Sequence, residues 1–228
     1  MTMLKNIDRI SIQVGLSGYS FKLETADSQH ASPWMSAERV FTTSEFQSRY
    51  DKVEISVFTP KCALVPKQFF SPEIAREMLS DVAHLGESDS VSYAEVPEYA
   101  AVMVYSNSIG ETLSKVISET VRTVDGEKST PLPELYYMLS YLSTIKDYNK
   151  ILASYADGCL YLAIAQGKTL LLCNSYQAQD FTTAEYFIFM AMKKLQLNPE
   201  VSTICFRTPL SDDDELSLYR YFKSVERL

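Results

Sequence analysis

Apolar and polar residues alternate near the start of the chain in a pattern typical of β-strands. The segments RISIQVG (9–15) and YSFKLET (19–25) each place apolar side chains at every second position, which predicts two strands joined by a turn at Leu16-Ser17-Gly18. The pattern then predicts a third strand, a short helix and a fourth strand, over residues 38–43, 43–50 and 52–58. The first part of the chain is therefore predicted to form a β-sheet.

The last third of the chain repeats this order. Its pattern predicts three strands, a long helix, a strand and a closing helix, over residues 150–158, 159–167, 167–176, 183–197, 202–208 and 211–228. Tight turns are predicted at Asp157-Gly158 and Gln166-Gly167, and Thr182 or Thr183 is the predicted cap of the long helix. No strand is predicted after the closing helix, so we expect a shortened second sheet.

The middle of the chain predicts further elements. Two prolines bracket an extended piece over 59–70, and Ser71-Pro72 indicates the start of a helix that continues to about Leu85. Residues 86–98 are polar and are expected to form a loop or an edge strand. After them the pattern predicts a buried strand, an amphipathic helix that includes Ile109, a short strand and a helix, over residues 100–106, 108–120, 121–124 and 132–145.

The acidic charge of the chain narrows its partners. The 228 residues include 21 Lys and Arg and 29 Asp and Glu, a formal charge of -8. The average electrostatic field of the protein therefore disfavours the binding of negatively charged nucleic acid. No stretch is long and apolar enough for a membrane span, and the first residues lack the apolar core of a signal peptide. We expect a cytoplasmic protein that does not bind nucleic acid and has no membrane span.

The cysteines indicate buried free thiols. Cys62, Cys159, Cys173 and Cys205 are far apart in sequence, and three of them lie in apolar segments. No CxxC motif occurs, and the chain has only two histidines. We therefore expect no metal site.

The repeated order predicts an α/β fold of two tandem ribonuclease H-like layers, with mixed sheets flanked by helices. Residues 169–199, followed by STICFRT (202–208) and LYRYFKSV (218–225), resemble an uncharacterised bacterial family of unknown function whose members have an actin-like ATPase fold. The segment CALVPKQFF (62–70) also resembles this family. More distantly, the layout is similar to that of the actin-like proteins of pilus assembly and cell division.

The resemblance implies a division of the chain into two halves. The first actin-like half would span residues 1–145 and carry a subdomain inserted near 59–98, where the pilus-assembly and cell-division proteins have theirs. The second, smaller half would span residues 146–228. Such halves hold a nucleotide between them, with glycine-rich hairpins at the phosphates.

The resemblance therefore also implies where ATP with magnesium would bind. The residues that would contact the phosphates are those of the two hairpin turns, Gly15, Ser17, Gly18, Asp157 and Gly158. Both hairpins depart from a working site. The first strand carries Gln13 where a carboxylate would order magnesium, and Asp157-Gly158 is followed by Cys159 and Leu160. These glycines are also explained without a ligand, because glycine is the residue that tight turns most often require.

Other catalytic chemistries find less support. A serine hydrolase needs a histidine held by a carboxylate, but His84 beside Asp81 fits a solvated helix face. A nuclease needs clustered acids, and Asp8, Glu24 and Asp27 fall at strand ends. The run 212–215 is acidic and suits the start of a helix, with calcium binding as a remote alternative. We assign no catalytic residue and no metal ligand.

Tyrosine is the remaining unusual feature, with 15 copies. Six flank the junction of the predicted halves: Tyr136, Tyr137, Tyr141, Tyr148, Tyr155 and Tyr161. Amphipathic aromatic side chains suit packing between domains and also protein interfaces. We expect a catalytically inactive actin-like binding or scaffold protein whose partner is another protein or a second copy. The alternative is a divergent nucleotide-binding protein, ATPase or phosphotransferase that uses the cleft between the halves.

Overall fold

The computed structural model of the protein describes residues 7–108 and 111–228. The strands of the described residues are β1 (Ile7–Val14), β2 (Gly18–Glu24), β3 (Gln29–Ala31), β4 (Met35–Ser36), β5 (Arg49–Val57), β6 (Cys62–Pro66), β7 (Ser92–Val96), β8 (Ala101–Tyr105), β9 (Arg122–Thr123), β10 (Leu132–Pro133), β11 (Asn149–Ala156), β12 (Cys159–Gln166), β13 (Thr169–Gln177), β14 (Thr203–Phe206) and β15 (Ser224–Arg227). The α-helices are α1 (Ala75–Ser80), α2 (Glu111–Thr120), α3 (Glu134–Thr144), α4 (Phe181–Lys194) and α5 (Asp212–Tyr219). Short 3-10 helices span Ala37–Phe41, Ser44–Gln47, Lys67–Phe69, Pro72–Ile74, Pro97–Tyr99 and Pro199–Val201.

The chain forms two compact units. The first contains the chain up to Thr59 together with Asn107–Pro133, and the second contains Pro60–Ser106 and Glu134–Leu228. Contacts therefore group residues 60–106 and α3 with the second unit, whereas the sequence pattern divides the chain at residue 145. The boundaries of the two actin-like halves stay a prediction.

The first unit is built on a mixed sheet. Its strands follow the order β10-β5-β1-β2-β3, with β1 antiparallel to β2 and parallel to β5. The predicted alternation is confirmed, since Ile10, Ile12 and Val14 are buried on the core side. The strand predicted over 38–43 is wrong. Val40 is buried while Phe41 is exposed, and this segment forms a 3-10 helix.

Two other predictions in this unit can be placed. The short helix predicted over 43–50 is the 3-10 helix Ser44–Gln47, and Phe46 anchors it in the core. The helix predicted over 108–120 is α2, whose Ile117 is buried. Ile109, which was predicted to share its apolar side, lies outside the described residues.

The main sheet of the second unit has the order β13-β12-β11-β14-β15. The three strands β11, β12 and β13 form an antiparallel meander, and β14 and β15 continue the sheet in parallel with β11. The predicted turn at Asp157-Gly158 is confirmed: the φ angles of these residues are 51° and 69°, as a type I′ turn requires. The helices α4 and α5 pack on one face of this sheet, around Ile188 and Leu218.

The end of the chain corrects two predictions. The last helix ends at Tyr219, and Ser224–Arg227 then pairs with β14. Only Val225 of this strand is buried. Its sequence neighbours Ser224, Glu226 and Arg227 are polar or charged, so the segment resembles the polar end of a helix. The expectation of a second sheet without this strand was wrong. The cap of α4 is also corrected: Asp180 accepts a hydrogen bond from the Thr183 amide at 2.7 Å.

A smaller sheet of order β6-β8-β7 completes the second unit. The helix predicted from Ser71 to Leu85 is shorter, because α1 ends at Ser80. The following loop is tied by Asp89, whose carboxylate accepts hydrogen bonds from Lys61 at 2.6 Å, the Gly86 amide at 2.7 Å and Ser106 at 3.0 Å. The polar segment after it forms β7, which pairs with β8 alone among the described strands.

No helix in the described ranges is both long enough and apolar enough to cross a membrane.

Candidate binding groove in the second unit

The first predicted phosphate turn lies between β1 and β2. The Gly15 amide donates to the Gly18 carbonyl at 2.9 Å, and Ser17 is exposed. A Cβ added at Gly18 would lie 1.9 Å from the Met35 carbonyl oxygen. The close approach of β4 therefore requires a glycine at position 18, whether or not a phosphate binds there.

The second predicted phosphate turn lies between β11 and β12 in the other unit. Asp157 is exposed, and the Gly158 carbonyl accepts a hydrogen bond from the Ala178 amide at 2.8 Å. Within the described residues, no three His, Cys, Asp or Glu side chains are grouped closely enough to hold a metal ion. Nucleotide binding at Gly15, Ser17, Gly18, Asp157 and Gly158 stays a prediction.

The six singled-out tyrosines all belong to the second unit. Two of them surround a buried ion pair that the sequence analysis did not predict. Arg207 Nη1 lies 2.8 Å from Glu134 Oε1, and the guanidinium stands 4.6 Å from the centre of the Tyr141 ring and 5.9 Å from that of Tyr137. Ser154 Oγ donates to the same Glu134 oxygen at 2.6 Å. This arrangement joins the first residue of α3 to the end of β14.

The four cysteines of the second unit differ in exposure: Cys159 and Cys205 are buried, whereas Cys62 and Cys173 are half-buried. Burial raises the pKa of Cys62 well above its ordinary value, and the neighbouring Cys173 and Cys159 raise it further. Burial also raises the pKa of Cys173 to about 12. Because the thiolate is the reactive form, these cysteines are poorly suited to nucleophilic catalysis.

A groove separates the edge strands β6 and β13. At one end the strands are close, with Ser175 Oγ 3.5 Å from the Pro60 carbonyl oxygen. At the other end they border a cavity of about 530 Å³, lined by Leu64, Pro66, residues 97–101, Lys168 and Leu170. The two strands thus run side by side in opposite directions and leave an opening near Pro66 and Lys168.

Three polar side chains reach this groove without a partner in the described part of the chain. Lys168 and Glu98 are exposed, and neither forms an ion pair with a described residue. The Tyr99 hydroxyl likewise makes no hydrogen bond to a described residue. Burial raises the pKa of Tyr99, and the nearby Glu98 and Cys173 raise it further. An ammonium, a carboxylate and a neutral phenol are therefore available to a ligand.

Ala100, in the wall of the groove, has a strained backbone. Its φ of 47° and ψ of 44° lie in the left-handed region, which costs a residue with a Cβ about 1–2 kcal/mol. Two hydrogen bonds hold this conformation: the Lys67 amide donates to the Ala100 carbonyl at 2.9 Å, and the Ala100 amide donates to the Pro97 carbonyl at 3.1 Å. Backbone strain of this kind is concentrated at functional sites.

The sequence pattern did not predict the groove, because the residues on its two sides are far apart along the chain. Residues 86–98 were expected to form a loop or an edge strand and residues 100–106 a buried strand, and Lys168 lies in the strand predicted over 167–176. The unusual conformation of Ala100 carries no sequence signal, since glycine or asparagine would have been the expected residue there.

Solved structures resemble the fold of this chain. A protein of unknown function with an actin-like ATPase fold from Bacteroides thetaiotaomicron VPI-5482 matches with a TM-score of 0.69 and 18% identity, over 96% of this chain and 90% of that chain. A structure described as the PilM-PilN type IV pilus biogenesis complex matches with a TM-score of 0.50 and 12% identity, over 98% of this chain and 89% of that chain. These similarities confirm the predicted actin-like ATPase fold.

Sequence comparison assigns the chain to a family without assigning an activity. None of the curated proteins matches it. A family model described as "Protein of unknown function (DUF3822)" matches residues 8–225. Since the match extends over nearly the whole chain, the protein belongs to the DUF3822 family.

Proposed function

We propose that this protein is an interaction module that holds an extended peptide segment of a partner protein in the groove between β6 and β13. The observation that carries the proposal is a cavity of about 530 Å³ that opens between two strand edges and is lined by polar side chains with no partner among the described residues. A volume of this size accommodates several side chains.

The strand edges favour an extended occupant. In the described sheets, β6 pairs only with β8 and β13 only with β12, so each presents one free edge to the groove. An extended peptide can pair with such an edge through backbone hydrogen bonds, while its alternate side chains enter pockets. Leu64 and Leu170 provide the apolar surface for one of these side chains.

The charges in the groove define the sequence of the peptide. Lys168 favours an acidic residue and Glu98 a basic one, and the apolar surface favours an aliphatic or aromatic residue beside them. We expect a motif that combines one residue of each kind within a few positions. Charge pairing of this type contributes more to specificity than to affinity.

The PilM-PilN structure supports a binding role for this fold, because its description is that of a protein complex. A fold alone does not define a function. The groove described above provides the independent argument from the side chains of this chain.

Panning of a random peptide library on the purified protein tests the proposal. We expect enriched peptides to share the acidic, apolar and basic residues, and we expect Lys168→Glu to weaken their binding at least about tenfold, measured by fluorescence polarisation. Reversing the acidic residue of the peptide to lysine should restore binding to Lys168→Glu. Such a rescue links the peptide residue to Lys168.

Lys146→Glu is the matched control, since Lys146 is an exposed lysine of the same unit outside the groove. It should leave peptide affinity unchanged. A library without enriched peptides, or enriched peptides that bind wild type and Lys168→Glu equally, would contradict the proposal.

A further inference from the structure

The helix α4 is apolar on nearly every side. Its buried side packs on the main sheet through residues that include Ala184 and Ile188. Away from that side, Tyr186 is 62% exposed, and Phe189 and Met190 are half-buried. A surface helix normally carries polar residues opposite its buried stripe, so this outer side of α4 is unusual.

The helix α5 and the turn after it extend this apolar surface. The Phe189 and Tyr221 rings are in edge contact, with centroids 4.9 Å apart, and Tyr221 is 51% exposed. Leu216 on α5 is exposed as well. We call the surface formed by Tyr186, Phe189, Met190, Leu216 and Tyr221 the helical face.

The two helices of this face run in the same direction. The strand β13 is parallel to β11, because two antiparallel pairings separate them, and β14 and β15 are also parallel to β11. Each helix returns the chain from the end of one of these strands to the start of another. Both helices therefore run opposite to the strands, and their N-termini lie at the same end of the helical face.

This common direction separates the charges of the helical face. The N-terminal end carries the exposed Asp212 and Asp213, and the C-terminal end of α4 carries Lys193 and Lys194. Neither lysine forms an ion pair with a residue in the part of the chain that the structure describes. The helix dipoles have the opposite polarity, positive at the N-termini and negative at the C-termini, and the side-chain charges at each end compensate them.

We propose that the helical face binds the same face of a second copy of this chain, with the two copies related by a two-fold axis. In such an antiparallel arrangement, the acidic end of each copy lies against the basic end of the other, and the aromatic side chains meet at the centre. A two-fold interface requires a surface that is complementary to itself. An acidic end, an apolar centre and a basic end satisfy this requirement.

The size of the face predicts a weak dimer. The 14 residues of α4 span about 21 Å, and two packed helices are together about 20 Å wide. This footprint, on the order of 400 Å², is below the roughly 800 Å² per partner of a stable complex. Dimerisation should therefore depend on protein concentration. It should also decrease with added salt, which screens the attraction between the two aspartates of each copy and the two lysines of the other.

Sedimentation velocity of two charge-reversed variants tests the interface. Lys193→Glu/Lys194→Glu makes both ends of the face acidic, and Asp212→Lys/Asp213→Lys makes both ends basic. Each variant alone should stay monomeric at concentrations where the wild type dimerises. An equimolar mixture should dimerise again, because the acidic ends of one variant now face the basic ends of the other.

The mixture makes the test independent of folding defects, since an unfolded variant could not restore a discrete dimer. Lys115→Glu/Lys146→Glu is the matched control, with two exposed lysines outside α4 and α5, and it should dimerise like the wild type. A wild type that remains monomeric up to hundreds of micromolar would overturn the proposal. So would a dimer that persists in both charge-reversed variants.

Discussion

Arg207 and Glu134 form a salt bridge of 2.8 Å in which the two side chains are only 6% and 0% exposed. Removing one partner leaves the other charge buried without compensation, which costs about 3–5 kcal/mol. We expect Arg207→Met and Glu134→Met each to lower the free energy of unfolding by about this amount, measured by urea denaturation.

The double variant Glu134→Met/Arg207→Met should recover at least half of the loss, because apolar side chains of similar size replace a buried ion pair at little cost. Losses that simply add in the double variant would show that the two side chains act independently.

Ala100→Gly should stabilise the protein. Glycine relieves the left-handed strain of about 1–2 kcal/mol but increases the entropy of the unfolded chain, at a cost of about 0.4–1 kcal/mol. The expected net gain is about 0.5–1 kcal/mol in the free energy of unfolding. Ala94→Gly in β7 is the control, because its backbone is an ordinary strand, and it should be destabilising. A loss of stability at position 100 would contradict the strain argument.

The sequence was sufficient for the elements whose pattern is local. Alternation identified β1 and β2, and Asp157-Gly158 identified the turn between β11 and β12. The sequence was insufficient for β15, where one buried residue, Val225, lies among polar and charged neighbours, and for α1, whose end depends on the loop tied by Asp89.

The candidate groove could not be predicted from the sequence for a different reason. The groove depends on the approach of β6 to β13, which lie about a hundred residues apart in sequence, and periodicity within a segment carries no information on such pairs. The burial of Glu134 and Arg207 could not be predicted from the sequence either, since charged residues are mostly exposed. The glycines of the predicted phosphate turns could be located from sequence, but the packing role of Gly18 required the position of Met35.

Gly18→Ala should destabilise the first unit. The added methyl group would lie 1.9 Å from the Met35 carbonyl oxygen, and β4 must move to accommodate it. We expect a loss of about 2–3 kcal/mol in the free energy of unfolding, at the upper end for overpacking. Gly86→Ala is the control, since its nearest contact would be an ordinary 3.6 Å. If Gly18→Ala were no more destabilising than Gly86→Ala, the packing argument would be wrong.

We expect no magnesium-dependent rise in melting temperature with millimolar ATP. The side chain at position 13 is a buried, neutral glutamine, which cannot replace the carboxylate that a hydrated magnesium ion needs. A ligand that binds the native state raises the melting temperature by mass action, so a thermal shift with ATP and ADP, with and without magnesium, checks this. A magnesium-dependent rise that Asp157→Ala abolishes would instead establish nucleotide binding.

Glu185→Gln should stabilise the protein near neutral pH and have little effect in acid. Burial raises the pKa of Glu185, although a hydrogen bond with Ser217 lowers it in part. Glu185 Oε1 is buried and has no hydrogen-bond partner among the residues that the structure describes. A raised pKa means that the folded state binds the proton more tightly than the unfolded state. Stability is therefore lost as the pH rises through the ordinary glutamate value toward the raised one, and the loss persists above it.

Glutamine is neutral at every pH and avoids this loss. The difference in the free energy of unfolding between Glu185→Gln and wild type should thus be positive at about pH 7.5 and close to zero at about pH 4. Glu200→Gln, at an exposed position, should change stability little at either pH. If Glu185→Gln were less stable than wild type at neutral pH, the carboxylate's bond to Ser217 would outweigh the cost of its burial.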